Sequence, residues 1–395
     1  MILFLHNRYR TTGGEERVVE DLMRLVRERM DEPAELLQRG AASELPQRGA
    51  ASERLRAGHG LLRGGLHPRE VSAAVRVSRA RVVHAHNLLP TLGWRALAAA
   101  RAQGAGVVLH LHQYRLVCAV GVCFTRGEEC TRCHGRNTLP GVLRNCRGSR
   151  PEALAYAAGL ALWQRRVVAQ ADAVIVPSAF ARERLRELGA PLPWERVHVL
   201  APPVWGGEAA DAGVPGVAEP YALVVSRLSP EKGIDVAIDA CARAGIALVV
   251  AGEGPELARL QARADGWVRF VGHVADERLA KLRAGAALAL VPSRSAETFG
   301  LAAAEAMAAG LPVAASRVGA LPELVGEEGL APAGDAGALA AVIARLRDDA
   351  GAGERARLRA LALCDPGVVA AGLAAVYEAA MGARPPRRGD SPGVT

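Results

Sequence analysis

Two glutamates, Glu297 and Glu305, flank a loop and the start of a helix in the segment 292–315. The apolar run ALALV precedes that loop and the Ala-rich run LAAAEAMAAG follows it, so the pattern predicts a strand, a loop and a helix that begins near Phe299 or Gly300. Free N–H groups at the start of such a helix suit a phosphate. Two carboxylates beside a phosphate suit sugar or ribose hydroxyls, because a carboxylate accepts two hydrogen bonds. Taken alone, the pair could also be an exposed helix residue and a partner of the helix dipole.

Two cations lie in another predicted loop, which follows a strand-like run nearer the start of the chain. Arg227 and Lys232 lie in SRLSPEKG, directly after the apolar run YALVV. On one loop they would bring both charges onto one diphosphate, because charged donors make the stronger hydrogen bonds to phosphate oxygens. The competing interpretation is a pair of ordinary surface cations.

Two further loops of this domain are predicted to line a nucleotide. Gly252 begins the turn GEGP after the run ALVVA, and Val274 follows the run FVGH. The GEGP turn lacks the third glycine of a dinucleotide-binding fingerprint, which argues against redox chemistry. Backbone groups near Val274 are expected to contact a base edge, with ordinary core packing as the alternative.

A double glycine, Gly13 and Gly14, separates the strand-like run ILFLH from the helical pattern VVEDLMRLVRERM. Glycines at this point let the backbone approach a ligand closely and leave the N–H groups of the helix start available. A plain turn is the alternative.

Strand-like and helical runs alternate along two blocks of the chain, which is typical of parallel sheets covered by helices on both faces. The fold class predicted is therefore α/β with two doubly wound sheets, whose ligands bind outside the carboxyl ends of the strands in the cleft between the domains. The predicted boundaries are 1–204 for an amino-terminal domain with a cysteine-rich insert at 113–150, 205–220 for a linker, 221–364 for a carboxyl-terminal domain, 365–382 for a terminal helix and 383–395 for a disordered tail.

The composition restricts the partners. The chain has 395 residues, a formal charge of +8 and 4% aromatic residues, without a basic cluster beside stacking side chains, so a dedicated nucleic-acid binder is not expected. No uninterrupted apolar run approaches the roughly 20 residues that span a bilayer, and the expected location is cytoplasmic. The Arg-rich segment 54–81 favours an amphipathic helix, either as a solvated face or in peripheral contact with the inner face of a membrane.

Four cysteines of the insert have the spacing of a metal site. Cys130 and Cys133 form a CxxC pair, and Cys118 and Cys146 flank it. Four thiolates close a tetrahedral structural zinc site, with Cys123 and His134 as substitutes. Reduced thiols are an equal alternative, and disulfides are a third.

The motifs SRLSPEKGID, VAGEGPEL, FVGHV and AETFGLAAAEAMAAGLPVAAS occur in this order and together resemble the carboxyl-terminal half of the retaining glycosyltransferases of family 4, which have the two-domain GT-B fold. The two glutamates separated by seven residues are that family's hallmark. The resemblance is strong from Tyr221 to about Gly329, and weaker through the double glycine, VVHAHNLLP and LHLHQYRLVC.

The resemblance implies roles for individual residues. Arg227 and Lys232 match residues that hold the diphosphate of a nucleotide sugar, Glu305 matches the one that takes the ribose hydroxyls, and Glu297 matches the one that contacts the donor sugar. Amides near Phe299, Gly300 and Leu301 complete this site. His112 corresponds to the amino-domain histidine near the reacting sugar, and His84, His86 and His110 are its competitors.

The activity expected is transfer of a hexosyl or N-acetylhexosaminyl group, with retention, from a nucleotide sugar that is UDP-linked. The acceptor is a lipid-linked saccharide, a polysaccharide intermediate or a small molecule. The chain has no Asp-x-Asp motif, so catalysis is expected to need no metal cofactor, the two cations taking that role. The alternatives are a nucleotide-sugar epimerase on a similar fold and a non-catalytic, zinc-dependent binding protein.

Overall fold

A computed structural model describes residues 1–8, 13–40, 50–206 and 220–382. Most of the expected linker and the whole expected tail lie outside these residues. The chain forms two compact units: the first comprises Met1–Gly121, Thr131–Leu200 and the chain from Val369, and the second comprises Val122–Cys130 and Ala201–Val368. The first unit therefore takes its last helix from the end of the chain.

The first half of the chain alternates between strands and helices, as its apolar periodicity predicts. Its elements are β1 (Ile2–Arg8), α1 (Gly14–Arg29), β2 (Ala34–Gly40), α2 (Ala50–Arg63), α3 (Pro68–Ser78), β3 (Val82–Ala85), α4 (Gly93–Ala102), β4 (Gly106–His110), β5 (Phe124–Thr125), β6 (Glu128–Glu129), α5 (Leu139–Leu143), α6 (Arg150–Ala169), β7 (Ala173–Val176), α7 (Ala179–Glu187) and β8 (Val197–Val199).

Six of these strands form the sheet of the first unit, in the order β2-β1-β3-β4-β7-β8. All neighbours in it are parallel. The runs ILFL of β1 and VVHA of β3 are buried throughout, because helices cover both faces of a parallel sheet. The order reverses between β1 and β3, which is where ligands of doubly wound sheets bind.

The second half repeats the alternation. Its elements are β9 (Tyr221–Val225), α8 (Ile234–Ala244), β10 (Ala247–Ala251), α9 (Leu257–Arg263), β11 (Val268–Gly272), α10 (Asp276–Ala284), β12 (Ala286–Val291), α11 (Leu301–Ala308), β13 (Val313–Ser316), α12 (Leu321–Val325), β14 (Leu330–Ala331), α13 (Ala336–Asp348), α14 (Ala352–Cys364) and α15 (Pro366–Gly382).

The sheet of the second unit has the order β11-β10-β9-β12-β13-β14, again with parallel neighbours throughout. Both predicted parallel sheets are thus confirmed. The strand order reverses between β9 and β12, so the loops after these two strands emerge side by side at the carboxyl edge. These loops hold Arg227, Lys232 and Glu297.

The last two helices make up an apolar stretch that stands out among the described residues. Ala352–Gly382 is long and apolar enough to cross a membrane by length and composition, and 44% of its most apolar window is buried. It is two helices rather than one, because the chain turns extended at Asp365 between α14 and α15. Leu373, Val376 and Tyr377 of α15 are buried, so packing inside the protein accounts for its apolar face.

Candidate active site

The two loops at the strand reversal of the second unit are joined by an ion pair. Lys232 Nζ lies 2.7 Å from Glu297 Oε1, and Ser293 Oγ donates to the same oxygen at 2.5 Å. Burial alone would raise the pKa of Glu297, but the Lys232 ammonium and the two hydrogen bonds outweigh it and hold that pKa below its usual value. The site therefore contains an ionised carboxylate and an ammonium at the point where ligands of such sheets bind.

Arg227 lies on the same loop as Lys232 and is the more exposed of the two cations, with 55% of its side chain accessible. Its Nη2 donates to Glu231 Oε1 at 2.6 Å, and Ser229 Oγ donates to that oxygen at 2.6 Å. Burial would raise the pKa of Glu231, yet these hydrogen bonds hold it below its usual value. A guanidinium has five N–H donors, so Arg227 retains donors for an anion.

Backbone and side-chain contacts hold the residues on both sides of Lys232 against the segment before Glu297. The N–H of Arg294 donates to the carbonyl oxygen of Glu231 at 2.8 Å, and its guanidinium pairs with both oxygens of Asp235 at 2.8 and 2.9 Å. Gly233 has φ +63°, and a Cβ there would lie 2.1 Å from the carbonyl oxygen of Pro292. Sequence reasoning missed these positioning residues, because their partners are distant in the chain.

Gly252 has a structural role that the sequence interpretation did not include. Its φ is +137°, and a Cβ would lie 1.9 Å from the carbonyl oxygen of Ser226. The next residue, Glu253, accepts from the N–H of Leu228 at 2.8 Å. The glycine thus lets two neighbouring loops pack backbone to backbone and supports the loop that bears Arg227.

Val274 is half-buried and packs against the core cluster that includes Tyr221 and Leu282. The adjacent His273 donates its N–H toward Glu253 Oε1 at 3.5 Å, which is a weak contact. Core packing, the alternative interpretation, thus describes the Val274 side chain, and a base contact through its backbone stays a prediction.

The predicted helix start after Glu297 is present. α11 begins at Leu301, and Gly300 precedes it with φ +100°, where a Cβ would lie 2.6 Å from Leu321. Phe299 is buried in the core, so its backbone rather than its side chain is available to a ligand. The amides of this segment belong to a helix N-terminus, as the phosphate hypothesis requires.

Glu305 lies on α11 and is paired inside the protein. Its carboxylate accepts from the guanidinium of Arg283, and the two side chains are 11% and 14% exposed. Arg283 therefore orients the carboxylate that the resemblance assigns to the ribose. No local sequence signal predicts this pair, because Arg283 lies at the end of a helix with an ordinary polar pattern.

Gly319 is another positioning residue that the sequence did not indicate. Its φ is +61°, and a Cβ would lie 2.3 Å from both the N and the O atom of Glu297. The next residue, Ala320, donates its N–H to the Glu297 carbonyl oxygen at 2.9 Å. The loop after β13 therefore fixes the backbone of Glu297.

In the first unit, carboxylates from the first turn of α1 lie at the helix start beside the double glycine. Gly13 donates its N–H to Glu16 Oε2 at 2.9 Å, while Gly14 is the first residue of α1. Glu15 and Glu16 also lie within 3.9 and 3.6 Å of the buried His6. Because acidic groups already face this N-terminus, Gly13 is engaged within the chain, and donor binding at the double glycine stays a prediction.

Beside it, the ends of β3 and β4 carry a stack of imidazole rings. His86 Nδ1 lies 2.7 Å from His112 Nε2, and His84 Nε2 lies 3.2 Å from His110 Nδ1. His84 Nδ1 also contacts the Tyr377 hydroxyl of α15 at 2.8 Å. His112 and its three competitors thus form one cluster rather than independent candidates.

All four rings of this cluster favour the neutral form. Burial is the main cause that lowers the pKa of His84 to about 3 and the pKa values of His86, His110 and His112 well below the usual value. Neighbouring rings lower these pKa values further, since a charge on one ring would repel a charge on the next.

Three histidines of this cluster, His84, His86 and His110, have ring nitrogens within 4.8 Å of one another, close enough to hold a metal ion. Their rings are stacked at interplanar angles of 9°, 25° and 29°. An ion about 2.0–2.1 Å from one ring nitrogen and in that ring's plane would lie out of the planes of the others. The stack therefore suits hydrogen bonding better than metal binding.

A cavity of about 80 Å³ in the first unit adjoins these histidines. Its walls include Leu61, Leu160, Trp94 and Trp163, and His112 is among the polar residues that line it. The two indole rings lie 6.0 Å apart, and Trp163 Nε1 donates to the Leu61 carbonyl oxygen at 2.9 Å. This space combines aromatic walls with a polar end.

The predicted cysteine ligands Cys118, Cys130, Cys133 and Cys146 are all half-buried. Within the described parts of the chain, cysteines form no group of three ligand atoms within 4.8 Å. The N–H of Cys130 donates to the carbonyl oxygen of Cys123 at 2.7 Å and closes the β5–β6 hairpin. Zinc binding by this insert stays a prediction.

Two family models match the chain, the "Glycosyl transferase 4-like domain" over residues 13–203 and "Glycosyl transferases group 1" over residues 219–349. The chain therefore belongs to the family 4 type of glycosyltransferases with the GT-B fold. A solved structure, sucrose-phosphate synthase from Thermosynechococcus elongatus, matches with a TM-score of 0.69 and 21% identity, over 97% of this chain and 99% of that one. At this identity the likeness supports the fold alone.

Sequence relatives match shorter segments. The chain is 47% identical over 106 residues to the GDP-mannose-dependent alpha-(1-6)-phosphatidylinositol dimannoside mannosyltransferase of Mycobacterium tuberculosis, which covers 25% of this chain and 28% of the relative. It is 36% identical over 182 residues to the phosphatidyl-myo-inositol mannosyltransferase of Mycobacterium leprae, over 42% of this chain and 48% of the relative. These matches span less than half of each relative's length.

Proposed function

We propose that the chain is a retaining glycosyltransferase that moves a hexosyl or N-acetylhexosaminyl group from a nucleoside diphosphate sugar to a hydroxyl group. The observation that carries this proposal is the ion pair of Lys232 and Glu297, 2.7 Å apart at the strand reversal of the second sheet, with Arg227 on the same loop. Family membership supports it.

Different side chains of the second unit bind different parts of the donor. Arg227 and Lys232 bind the diphosphate, because they place two cations where the leaving group gains negative charge. Glu297 accepts hydrogen bonds from the donor sugar, and its pairing with Lys232 keeps it ionised for that purpose. Glu305, oriented by Arg283, accepts from the ribose hydroxyls.

In the reaction step, the bond between the anomeric carbon and the leaving phosphate oxygen breaks with its electron pair on that oxygen. The acceptor oxygen attacks the anomeric carbon from the same face, and its proton passes to a phosphate oxygen. The leaving nucleoside diphosphate is thereby protonated, and the configuration is retained. The rival is double displacement on a protein carboxylate, which would leave a glycosyl-enzyme intermediate that can be trapped.

A donor panel tests this function. UDP-sugars remain the predicted donors, and GDP-mannose is the competitor because one relative is named for it. Release of nucleoside diphosphate that depends on an acceptor supports transfer. Conversion of the nucleotide sugar without an acceptor would indicate an epimerase. Binding without turnover, unchanged in Lys232→Ala, would indicate a non-catalytic binding protein.

For the acceptor, we propose a lipid-linked saccharide presented at a membrane. The supporting feature is a set of exposed leucines on α2, α5 and α6, three neighbouring helices because α2 and α5 both pack against α6. Its members are Leu55, Leu62, Leu139, Leu143, Leu154 and Leu162, between 49% and 77% exposed. The three helices carry six arginines against two glutamates, so an anionic bilayer fits both the charge and the apolar side chains. A small aglycone in the aromatic cavity is the alternative acceptor.

Replacing Leu143 and Leu154 by serine is expected to lower binding to anionic vesicles tenfold or more, because two exposed leucines no longer enter the apolar layer. Co-sedimentation with phosphatidylcholine vesicles that contain phosphatidylglycerol measures it. The matched control is the serine variant of Leu358 and Leu363 on α14, which are 56% and 41% exposed. Equal binding by both variants and the parent, or no binding by the parent, would refute the membrane proposal.

Structural zinc in the cysteine insert is expected as one ion per chain that copurifies in the absence of chelator. Elemental analysis checks it, with Cys133→Ser as the variant that loses the ion and Cys241→Ser as the control. Cys241 suits this purpose because it is buried in the core of the second unit, and burial raises its pKa to about 12. A metal content near zero in the parent would refute the zinc site and leave reduced thiols and disulfides as the two alternatives.

A further inference from the structure

The hydrogen bond between His86 and His112 determines where the proton of His112 lies. Its two atoms, His86 Nδ1 and His112 Nε2, are 2.7 Å apart and the rings are close to parallel, at 13°. A hydrogen bond between two neutral imidazoles needs one nitrogen that carries a proton and one that does not. The direction of this bond therefore sets the tautomer of both rings.

The other nitrogen of His86 decides the direction. His86 is 3% exposed, and its Nε2 is buried without a hydrogen-bond partner. A buried N–H without a partner is rare and costly, and a bare acceptor is the less costly of the two. His86 Nε2 is therefore bare, and the single proton of the neutral ring lies on Nδ1.

The second pair of the stack follows the same rule. His110 is 3% exposed, and its Nε2 is also buried without a partner, which places its proton on Nδ1, facing His84 Nε2. His84 then carries its own proton on Nδ1, where the Tyr377 oxygen accepts it. One assignment thus satisfies every bond of the stack, with all rings neutral, in line with their lowered pKa values.

We propose that His86 is a positioning residue that donates its Nδ1–H to His112 Nε2 and thereby holds His112 as the Nδ1–H tautomer. The remaining nitrogen of His112 is then a donor. With the proposed glycosyl transfer, on which this part rests, this N–H is the group that His112 offers to a ligand oxygen. His112 is not the base that removes the acceptor proton, because its Nε2 accepts the hydrogen bond from His86 and its Nδ1 already carries a proton. The acceptor proton is left to the phosphate oxygen.

Nitrogen-15 NMR of histidine-labelled protein tests the tautomer without any substrate. His112 should show a protonated Nδ1 and a bare Nε2, and His86 should show the same pattern. In His86→Phe, which keeps a stacked ring and removes the donor, the His112 signals should shift toward a mixture of tautomers. In His86→Asn, which restores an N–H donor near the position of Nδ1, the parent pattern should return.

The matched control is His110→Phe, which alters a ring that stacks on His112 at 4.2 Å and whose Nδ1 bonds to His84. It should leave the His112 tautomer unchanged. A protonated Nε2 on His112 in the parent, or an unchanged His112 in His86→Phe, would overturn the proposal.

Enzyme kinetics shows whether His86 positions His112 for turnover or only stabilises the fold. His86→Phe should lower kcat about tenfold, the effect of losing one hydrogen bond, with partial recovery in His86→Asn. If the tautomer is as proposed but no donor is turned over, the proposed function fails while the His86 assignment stands. Equal activity of His86→Phe and the parent would refute the functional part of the assignment.

Discussion

Replacing Lys232 by alanine is expected to lower kcat for glycosyl transfer by about two to three orders of magnitude, the usual effect of removing one preorganised charge at a developing anion. The variant loses the ammonium that we propose to bind the diphosphate. It also leaves Glu297, which is 16% exposed, with Ser293 as its remaining side-chain donor among the contacts described. Burial would then raise the pKa of Glu297, so the carboxylate that we propose to contact the sugar is less readily ionised in the variant.

Initial rates of nucleoside diphosphate release measure this effect. Lys232→Arg keeps the charge and should retain more activity than Lys232→Ala. The chain offers a matched control in its only other lysine, Lys281, which is 44% exposed and pairs with Glu277 on α10. Lys281→Ala should be as active as the parent. Equal rates for Lys232→Ala and Lys281→Ala would contradict the assignment of Lys232 to the diphosphate.

The second large effect expected is acid destabilisation of the first unit between pH 6.5 and about 5. The four stacked histidines have pKa values lowered by burial, His84 to about 3, while unfolded histidines have a pKa of about 6.5. Above pH 6.5 the four histidines are neutral in both the folded and the unfolded state, so their protonation does not lower the free energy of unfolding. Below it the unfolded state binds more protons, so the free energy of unfolding falls as the pH falls.

The size of this loss is large. Each histidine contributes roughly 1.4 kcal/mol per pH unit, so four together contribute on the order of 5 kcal/mol per unit, against a total of roughly 5–15 kcal/mol for a domain. Carboxylates with lowered pKa values act below pH 4.5, so the window from 6.5 to 5 belongs to the histidines.

Hydrogen exchange followed by mass spectrometry checks this prediction unit by unit. Peptides from β3 and β4 should lose protection steeply from pH 6.5 to 5, after correction for intrinsic exchange, and peptides from β9 and β10 should not. His110→Phe should reduce the slope by about a quarter, and His273→Gln, an exposed histidine of the second unit, should leave it unchanged. Protection of β3 and β4 that is independent of pH would show that the rings are not held neutral.

The parts of the site that the sequence predicts are those controlled by local pattern. Runs such as YALVV and ALALV form buried strands, and because the sheet is parallel the loops after them share one edge. That is why Arg227, Lys232 and Glu297 could be placed near each other from the sequence alone. The helix start after Gly300 follows from the same local signals.

What the sequence could not show are contacts between distant segments. Lys232 and Glu297 are 65 residues apart, and His84 and Tyr377 are 293 apart. The pairing of Arg283 with Glu305 depends on how α10 and α11 flank β12, which no local pattern specifies. The glycine at 252 was interpreted as a ligand contact, although its φ of +137° and its approach to Ser226 also give it a packing role.

We propose that the site built around Lys232 and Glu297 transfers the sugar with retention of configuration. The measurement that tests it most directly is proton NMR of the nascent product, recorded before anomers can equilibrate, with an α-linked nucleotide sugar and the acceptor found in the panel. We expect an α-linked product that forms with the parent enzyme and is almost absent with Lys232→Ala. A β-linked product, or an α-linked product at the same rate from both proteins, would contradict it.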